Sequence, residues 1–249
     1  MSDLQTLTGM VLEAAPVGDY DKRLVLLTRE RGRITAFARG ARRPNSQLLA
    51  ASNPFAFGSF ELFPGRDAWR LSRAEIRQYF RELVMDVEGA YYGFYFLEFA
   101  SFYSREEADA SELLTLLYLA LRALTHPAIP KKLARRIFEL RTMVINGEYP
   151  QVFHCVRCGK EQELTAYAVR EDGLVCRDCA GGSGQIRLDP STVYTLQYIV
   201  TSPVRKLFTF TVSDMVLGQL EKVVDAFRER WADHAFKSLE ILRESNFLK

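Results

Sequence analysis

Four cysteines fall in one short stretch, as CVRC at Cys155 to Cys158 and CRDC at Cys176 to Cys179, with seventeen residues between the pairs. Each C-x-x-C turn aims two sulfurs at one centre, and two such turns on facing hairpins make a tetrahedral thiolate cage. Cys155, Cys158, Cys176 and Cys179 are therefore expected to hold one Zn2+ per chain. Four thiolates leave no position for water or substrate, so the metal is expected to be structural. An iron–sulfur centre and four free thiols are the alternatives. His154 stands beside Cys155 and is read as a surface histidine rather than a competing ligand. The intervening LTAYAVREDGLV alternates like a hairpin, with Asp172-Gly173 as its turn.

A second concentration of chemistry lies near the N-terminus, in RERGRITAFARGARRPNS, Arg29 to Ser46. From Lys22 to Arg43 there are eight cations and one acid, Glu30, a surplus of +7 in a chain whose formal charge is only +2. Such segregation marks an anion-binding surface. On a strand, Ile34, Ala36 and Ala38 would face a core, and Arg33, Thr35, Phe37 and Arg39 the other side. That outer face interleaves cations for phosphates with a ring on which a base can stack, as single-stranded nucleic acid requires. Lys22 and Arg23 enter the partner strand, and Arg42 and Arg43 continue in a basic loop. The candidate DNA-binding set is therefore Lys22, Arg23, Arg33, Phe37, Arg39, Arg42 and Arg43, with Arg66, Arg70, Arg73 and Arg77 as an extension diluted by Asp67 and Glu75. The alternative is a solvated basic face with Phe37 packed on a neighbour.

Other chemistries lack their signatures. There is no GxxxxGK[ST], GxSxG or HExxH, and the three histidines, His126, His154 and His234, are scattered without partner carboxylates at motif spacing. No set of carboxylates for a nuclease can be assembled, so the chain is read as a non-enzyme. No apolar run reaches the roughly 20 residues of a membrane helix, and the first residues lack the basic leader and apolar core of a secretory signal. The expected location is the cytoplasm, without a membrane partner.

The elements that must position these groups follow from periodicity. Thr8–Ala14, Leu24–Thr28, Ile34–Ala38, Phe55–Phe63 and Ala68–Ile76 read as strands, with RERGR and PGRD as turns. Five short strands in about 75 residues close most economically into an OB-type barrel. Apolar spacing then predicts helices over Gln78–Ser104, Ser111–Thr125 (Ser111 as its N-cap) and Lys131–Asn146, the last with Leu133, Ile137, Leu140 and Val144 on one stripe. After the cysteine insert, closed by AGGSG, further helices are expected from Pro190, from Ser213 through Trp231, and over Ala235–Asn246. The fold class is α+β and multidomain: a barrel over residues 1–78, then a helical domain over 79–249 carrying a zinc ribbon at 153–184.

This order of parts resembles the RecO family of bacterial DNA-repair proteins. The local matches are GRITAFARGARRPNS, the NPF…F…G that ends the first domain, RRIFELRTMVINGEYP, and CVRCG…CRDC. The resemblance covers nearly the whole chain. It implies a recombination mediator that binds single- and double-stranded DNA, anneals complementary strands, and with RecR helps load RecA on DNA coated by single-strand-binding protein, in association with the nucleoid. It further implies that the acidic C-terminal tail of the single-strand-binding protein docks on the helical body, with Arg136 as a partner-binding residue, against the alternative that Arg135 and Arg136 simply face solvent. Two readings of other classes remain at this point: an RNA-binding factor built from barrel and ribbon, and a protein-docking module in which the barrel is only scaffold. A metal-dependent nuclease is a third, without support from a saturated thiolate site.

Overall fold

The computed structural model describes residues 3–245, and these form two compact units, one of residues 3–125 with 237–245 and one of residues 126–236.

The first unit contains five strands, β1 (Gln5–Val17), β2 (Asp21–Thr28), β3 (Gly32–Ala38), β4 (Phe57–Phe63) and β5 (Trp69–Gln78), with a single helical turn, α1 (Leu48–Ala51), between β3 and β4. They close in the order β1-β2-β3-β5-β4, with β4 returning to β1. This is the OB-type barrel that alternation predicts. All pairs are antiparallel except β3 with β5, which run parallel. Leu24, Leu26, Ile34, Ala36, Ala38, Phe60, Leu62 and Leu71 point inward and fill the barrel. Four strands run longer than expected, β1 and β2 because they continue to a tight turn at residues 18–20, whereas β4 begins at Phe57 rather than Phe55.

The same unit includes α2 (Arg81–Met85), α3 (Val87–Tyr103), α4 (Ser111–Leu124) and α8 (Lys237–Glu244). The single helix expected over Gln78–Ser104 is thus two, broken at Asp86, whose extended backbone interrupts the ladder. Ser111 is not the N-cap of α4. Ser111 is the first helical residue, Ala110 holds the cap position without a side-chain bond, and Asp109 just before it accepts from the Ser111 N–H at 2.9 Å. Helix α8 is capped from a distance: the Glu98 carboxylate on α3 accepts from the N–H groups of Lys237 and Ser238. Of the helix expected over Ala235–Asn246, Asn246 lies outside the described residues.

Residues 126–236 contain α5 (Lys131–Ile145), α6 (Pro190–Thr201), α7 (Asp214–Trp231) and a small sheet of β6 (Leu164–Ala168), β7 (Gly173–Cys176) and β8 (Gln185–Arg187), in the order β7-β6-β8. Asp189 caps α6 ahead of Pro190 and Ser213 caps α7. Two expectations change here. The insert's sheet has a third strand, β8, directly after the AGGSG run, where no element was expected. Helix α5 is buried almost all round rather than along one stripe.

That burial includes charge. Arg135 and Arg136 are 2% and 4% exposed and Glu139 is fully buried, so neither arginine faces solvent. Arg135 Nε donates to Glu139 Oε1 at 2.9 Å, and Arg136 Nη1 to Glu139 Oε2 at 3.0 Å. Arg136 also grips Asp225 of α7 with both terminal nitrogens, at 2.7 and 2.8 Å. Arg228 reaches the same Asp225 at 3.0 Å. Burial works against the charge on Arg136, but Glu139 and Asp225 outweigh it and raise its pKa above the ordinary value. This network fastens α5 to α7.

Candidate nucleic-acid interface and metal centre

The β2–β3 hairpin divides the basic run in two. At its tip, Thr28 Oγ1 accepts from the Arg31 N–H and donates to the Gly32 carbonyl. Gly32 has φ +63°, and a Cβ there would sit 2.0 Å from the Arg105 carbonyl oxygen, so only glycine allows the tip to meet the loop after α3. That meeting is a run of main-chain bonds: Arg33 N–H to Arg105 O, Glu107 N–H to Arg31 O, and Ala110 N–H to Arg29 O. Side chains follow. Arg31 pairs with Glu107 at 2.8 Å, and Arg33 donates to the Ser101 carbonyl at 3.0 Å with Glu106 at 3.9 Å. Val25 and Leu27 share the outward face of β2 with Arg23, yet both are buried because α4 packs over that strand.

The other end of the hairpin is open. Arg23, Phe37, Arg39, Arg42 and Arg43 are all exposed there, with Phe37 at 37%. Arg42 donates through its main chain to the Tyr20 carbonyl and through its side chain to that of Gly18, which lays the β3–α1 loop along the β1–β2 turn. The Arg43 guanidinium lies 5.2 Å from the centre of the exposed Tyr20 ring. No carboxylate forms an ion pair with Arg23, Arg39, Arg42 or Arg43 among the described residues. Of the two acids in the β1–β2 turn, Asp21 accepts from the Gly40 N–H at 2.7 Å, and Asp19 is exposed.

Of the seven residues singled out from the sequence, five therefore gather at one end of the barrel. Arg33 sits at the opposite end against α3. Lys22 points away from Arg23, with its ammonium on Asn53 Oδ1 at 2.7 Å, and burial together with the neighbouring Arg42 lowers its pKa. The open end concentrates positive charge with two rings in reach, an arrangement able to hold a phosphate backbone. Tyr20 was not picked out by sequence reasoning; its place in a GDYD turn gave no periodic signal.

The cysteines form one cluster. The four sulfurs lie within 4.8 Å of one another, and Cys158 Sγ and Cys176 Sγ are 3.7 Å apart. Sulfurs about 2.3 Å from a tetrahedral ion stand roughly 3.8 Å apart, which the Cys158–Cys176 pair matches, and the cluster as a whole is close enough for four thiolates to share one zinc ion. The first turn is set by Gly159 at φ +77°, with its N–H on the Cys155 carbonyl, and is docked on β7 by Val156 N–H to Leu174 O. The second closes with the Cys179 and Ala180 N–H groups on the Cys176 carbonyl. Burial raises the Cys155 thiol, but N–H donors from Cys176, Arg157 and Cys158 outweigh it and bring the pKa to about 6. Cys179 is pushed up to about 12, chiefly by hydrogen bonds with Cys158 and Cys176. A divalent ion supplies the charge that lets all four ionise together. Around the cage, Arg157 pairs with Glu171, Lys160 with Glu163 and Asp178, and Arg177 with Glu163, so most of the insert's cations are matched by acids.

The sequence of these parts is that of a known family. Residues 1–80 match the family model described as Recombination protein O N terminal, and residues 85–240 match Recombination protein O C terminal. Relatives named DNA repair protein RecO align over almost their whole length. One from Alkaliphilus metalliredigens is 31% identical over 239 residues, 95% of this chain and 97% of its own. One from Symbiobacterium thermophilum is 31% identical over 246 residues, 96% of each. One from Bacillus subtilis is 27% identical over 242 residues, 97% of this chain and 94% of its own. The chain belongs to the RecO family of DNA repair proteins. Among the described residues no helix is long and apolar enough to cross a membrane.

Proposed function

We propose that this protein is a recombination mediator of DNA repair that binds single- and double-stranded DNA at the open end of its barrel and anneals complementary strands. The observation that carries the reading is the group of Arg23, Arg39, Arg42 and Arg43 around Phe37 and Tyr20, none of them ion-paired to a carboxylate among the described residues. Annealing brings two polyanions together. A cationic surface held by a closed barrel lowers their repulsion without consuming nucleotide and without reading sequence. No catalytic step is assigned, and the protein works as a binding platform.

With RecR it would assist loading of RecA on DNA coated by single-strand-binding protein, in the cytoplasm at the nucleoid. The acidic tail of that protein would dock on the helices of residues 126–236. Arg136 can take part only by exchanging Asp225 for a tail carboxylate, which makes it a competitor site rather than an open one. Cys155, Cys158, Cys176 and Cys179 would hold one structural Zn2+ that fastens the insert.

The test is binding of labelled single-stranded DNA across a salt series, for the intact protein and for a variant with Arg23, Arg39, Arg42 and Arg43 changed to Ala. The log–log salt slope should flatten by about 0.7 per lost phosphate contact, or roughly 3 in all. An unchanged slope would move the DNA site off the barrel. An RNA strand of matched sequence, competing equally well, would favour the RNA-binding alternative.

A further inference from the structure

The strand register places a ladder of alternating cations and rings across the outside of the barrel. Arg23 on β2 stands opposite Phe37 on β3. Phe37 stands opposite Arg70 on β5, across the parallel pair. Arg70 stands opposite Phe63 on β4. Leu24, Ala36, Ala38, Leu62 and Leu71, next to them in sequence, are all in the core, so the four side chains share the outer face. The Arg70 guanidinium lies 4.7 Å from the centre of the Phe63 ring. Neighbouring strands are about 4.8 Å apart, so the row extends over roughly 14 Å. It starts beside Arg39, two residues beyond Phe37, and runs away from the loop of Arg42 and Arg43.

We propose that this row, Arg23–Phe37–Arg70–Phe63, is the element that makes the barrel prefer single-stranded over duplex DNA. The inference rests on the barrel being the DNA site and adds Arg70 and Phe63 to it. The physical reason is the accessibility of base faces. In a duplex the bases are stacked on one another and only phosphates reach the protein. In a single strand each base has a free face for a ring, while the adjacent phosphates meet the cations. The loop arginines serve either form; the rings serve only the single strand. Phe37, exposed and flanked by a cation on each neighbouring strand, is the principal platform. Arg70, braced on Phe63, holds the phosphate between two stacked bases.

The experiment uses the full chain with oligothymidine carrying one 2-aminopurine, and a duplex of the same length. Phe37→Leu keeps apolar bulk and loses the ring; Phe37→Tyr keeps the ring. Phe37→Leu should weaken single-strand binding about tenfold, leave duplex binding within twofold, and abolish the quenching of 2-aminopurine that the intact protein causes. Phe37→Tyr should restore the single-strand preference and the quenching. Equal loss for both DNA forms, or no loss for either, overturns the ladder. The variant lacking Arg39, Arg42 and Arg43 separates the two readings. If it weakens both forms while Phe37→Leu does nothing, only the ladder fails. If neither variant affects binding, the barrel is not the DNA site.

Discussion

Two groups of arginines in this protein meet opposite fates. Arg135, Arg136 and Arg228 are buried, and Glu139 and Asp225 hold them in place. Arg23, Arg39, Arg42 and Arg43 are exposed, and among the described residues no carboxylate is paired to them. The difference lies in what the fold brings near. Helix α7 delivers Asp225 to α5, and the loop after α3 delivers Glu106 and Glu107 to the hairpin tip. At the far end of the hairpin the acid at hand, Asp21, accepts from the Gly40 N–H, and among the described residues no carboxylate pairs with the arginines. A surplus of charge in the sequence becomes a binding surface only where the tertiary structure keeps counter-charges out, and this chain keeps part of its surplus and neutralises the rest.

The largest effect should come from neither group but from the cage that holds the insert. Stripping the proposed metal with a chelator, or Cys155→Ser with Cys176→Ser, should remove a contribution on the order of 10 kcal/mol to the local fold. Amide exchange over residues 150–188 should rise sharply, while residues 5–78 stay protected. Protons compete for the thiolates, so metal should be retained at neutral pH and released as pH falls, read by a zinc-sensitive dye. Next, Glu139→Gln leaves buried arginines short of charge and should cost about 3–5 kcal/mol in denaturant unfolding. Its DNA salt slope should be unchanged, and a flattened slope would mean that the buried group also meets DNA. Smaller still, Arg39→Ala should flatten that slope by about 0.7, and Arg33→Ala, bound to the Ser101 carbonyl, should leave it alone. Equal effects would erase the division of the hairpin. Last, Asp189→Ala removes the cap of α6 and should cost about 1 kcal/mol, without any change in DNA binding.

What could be read in advance was local. Alternation located all five barrel strands, and the cysteine spacing located the cage, because both signals lie within a few residues. The hairpin turn at Gly32 was equally legible. The three residues of β8 were not, since Gln185-Ile186-Arg187 is too short to carry a period and follows a glycine-rich run. Arg136 looked solvent-exposed because Asp225, which it grips with both terminal nitrogens, is 89 residues away, whereas Glu139, which it shares with Arg135, is local. Arg33 looked like part of the DNA set because the residues that occupy it lie 68 and more residues away. The parallel pairing of β3 with β5 joins residues 33 apart, and without it neither Arg70 nor Phe63 can be placed beside Phe37.

Gly32 and the main-chain bonds around it bear on where this protein can be cut. The two family segments meet between residues 80 and 85, which invites expression of the barrel alone. Such a fragment would lose residues 105, 107 and 110, leaving the Arg33 N–H and the Arg31 and Arg29 carbonyls without their partners. It would also uncover Val25 and Leu27, now 6% and 0% exposed. The smallest piece that keeps the barrel's outer wall intact ends after α4, near residue 125, and Glu98 ties α8 to it as well. In this protein the boundary drawn by sequence and the boundary drawn by covered surface differ by about forty residues, and the second is the one a gene truncation has to respect.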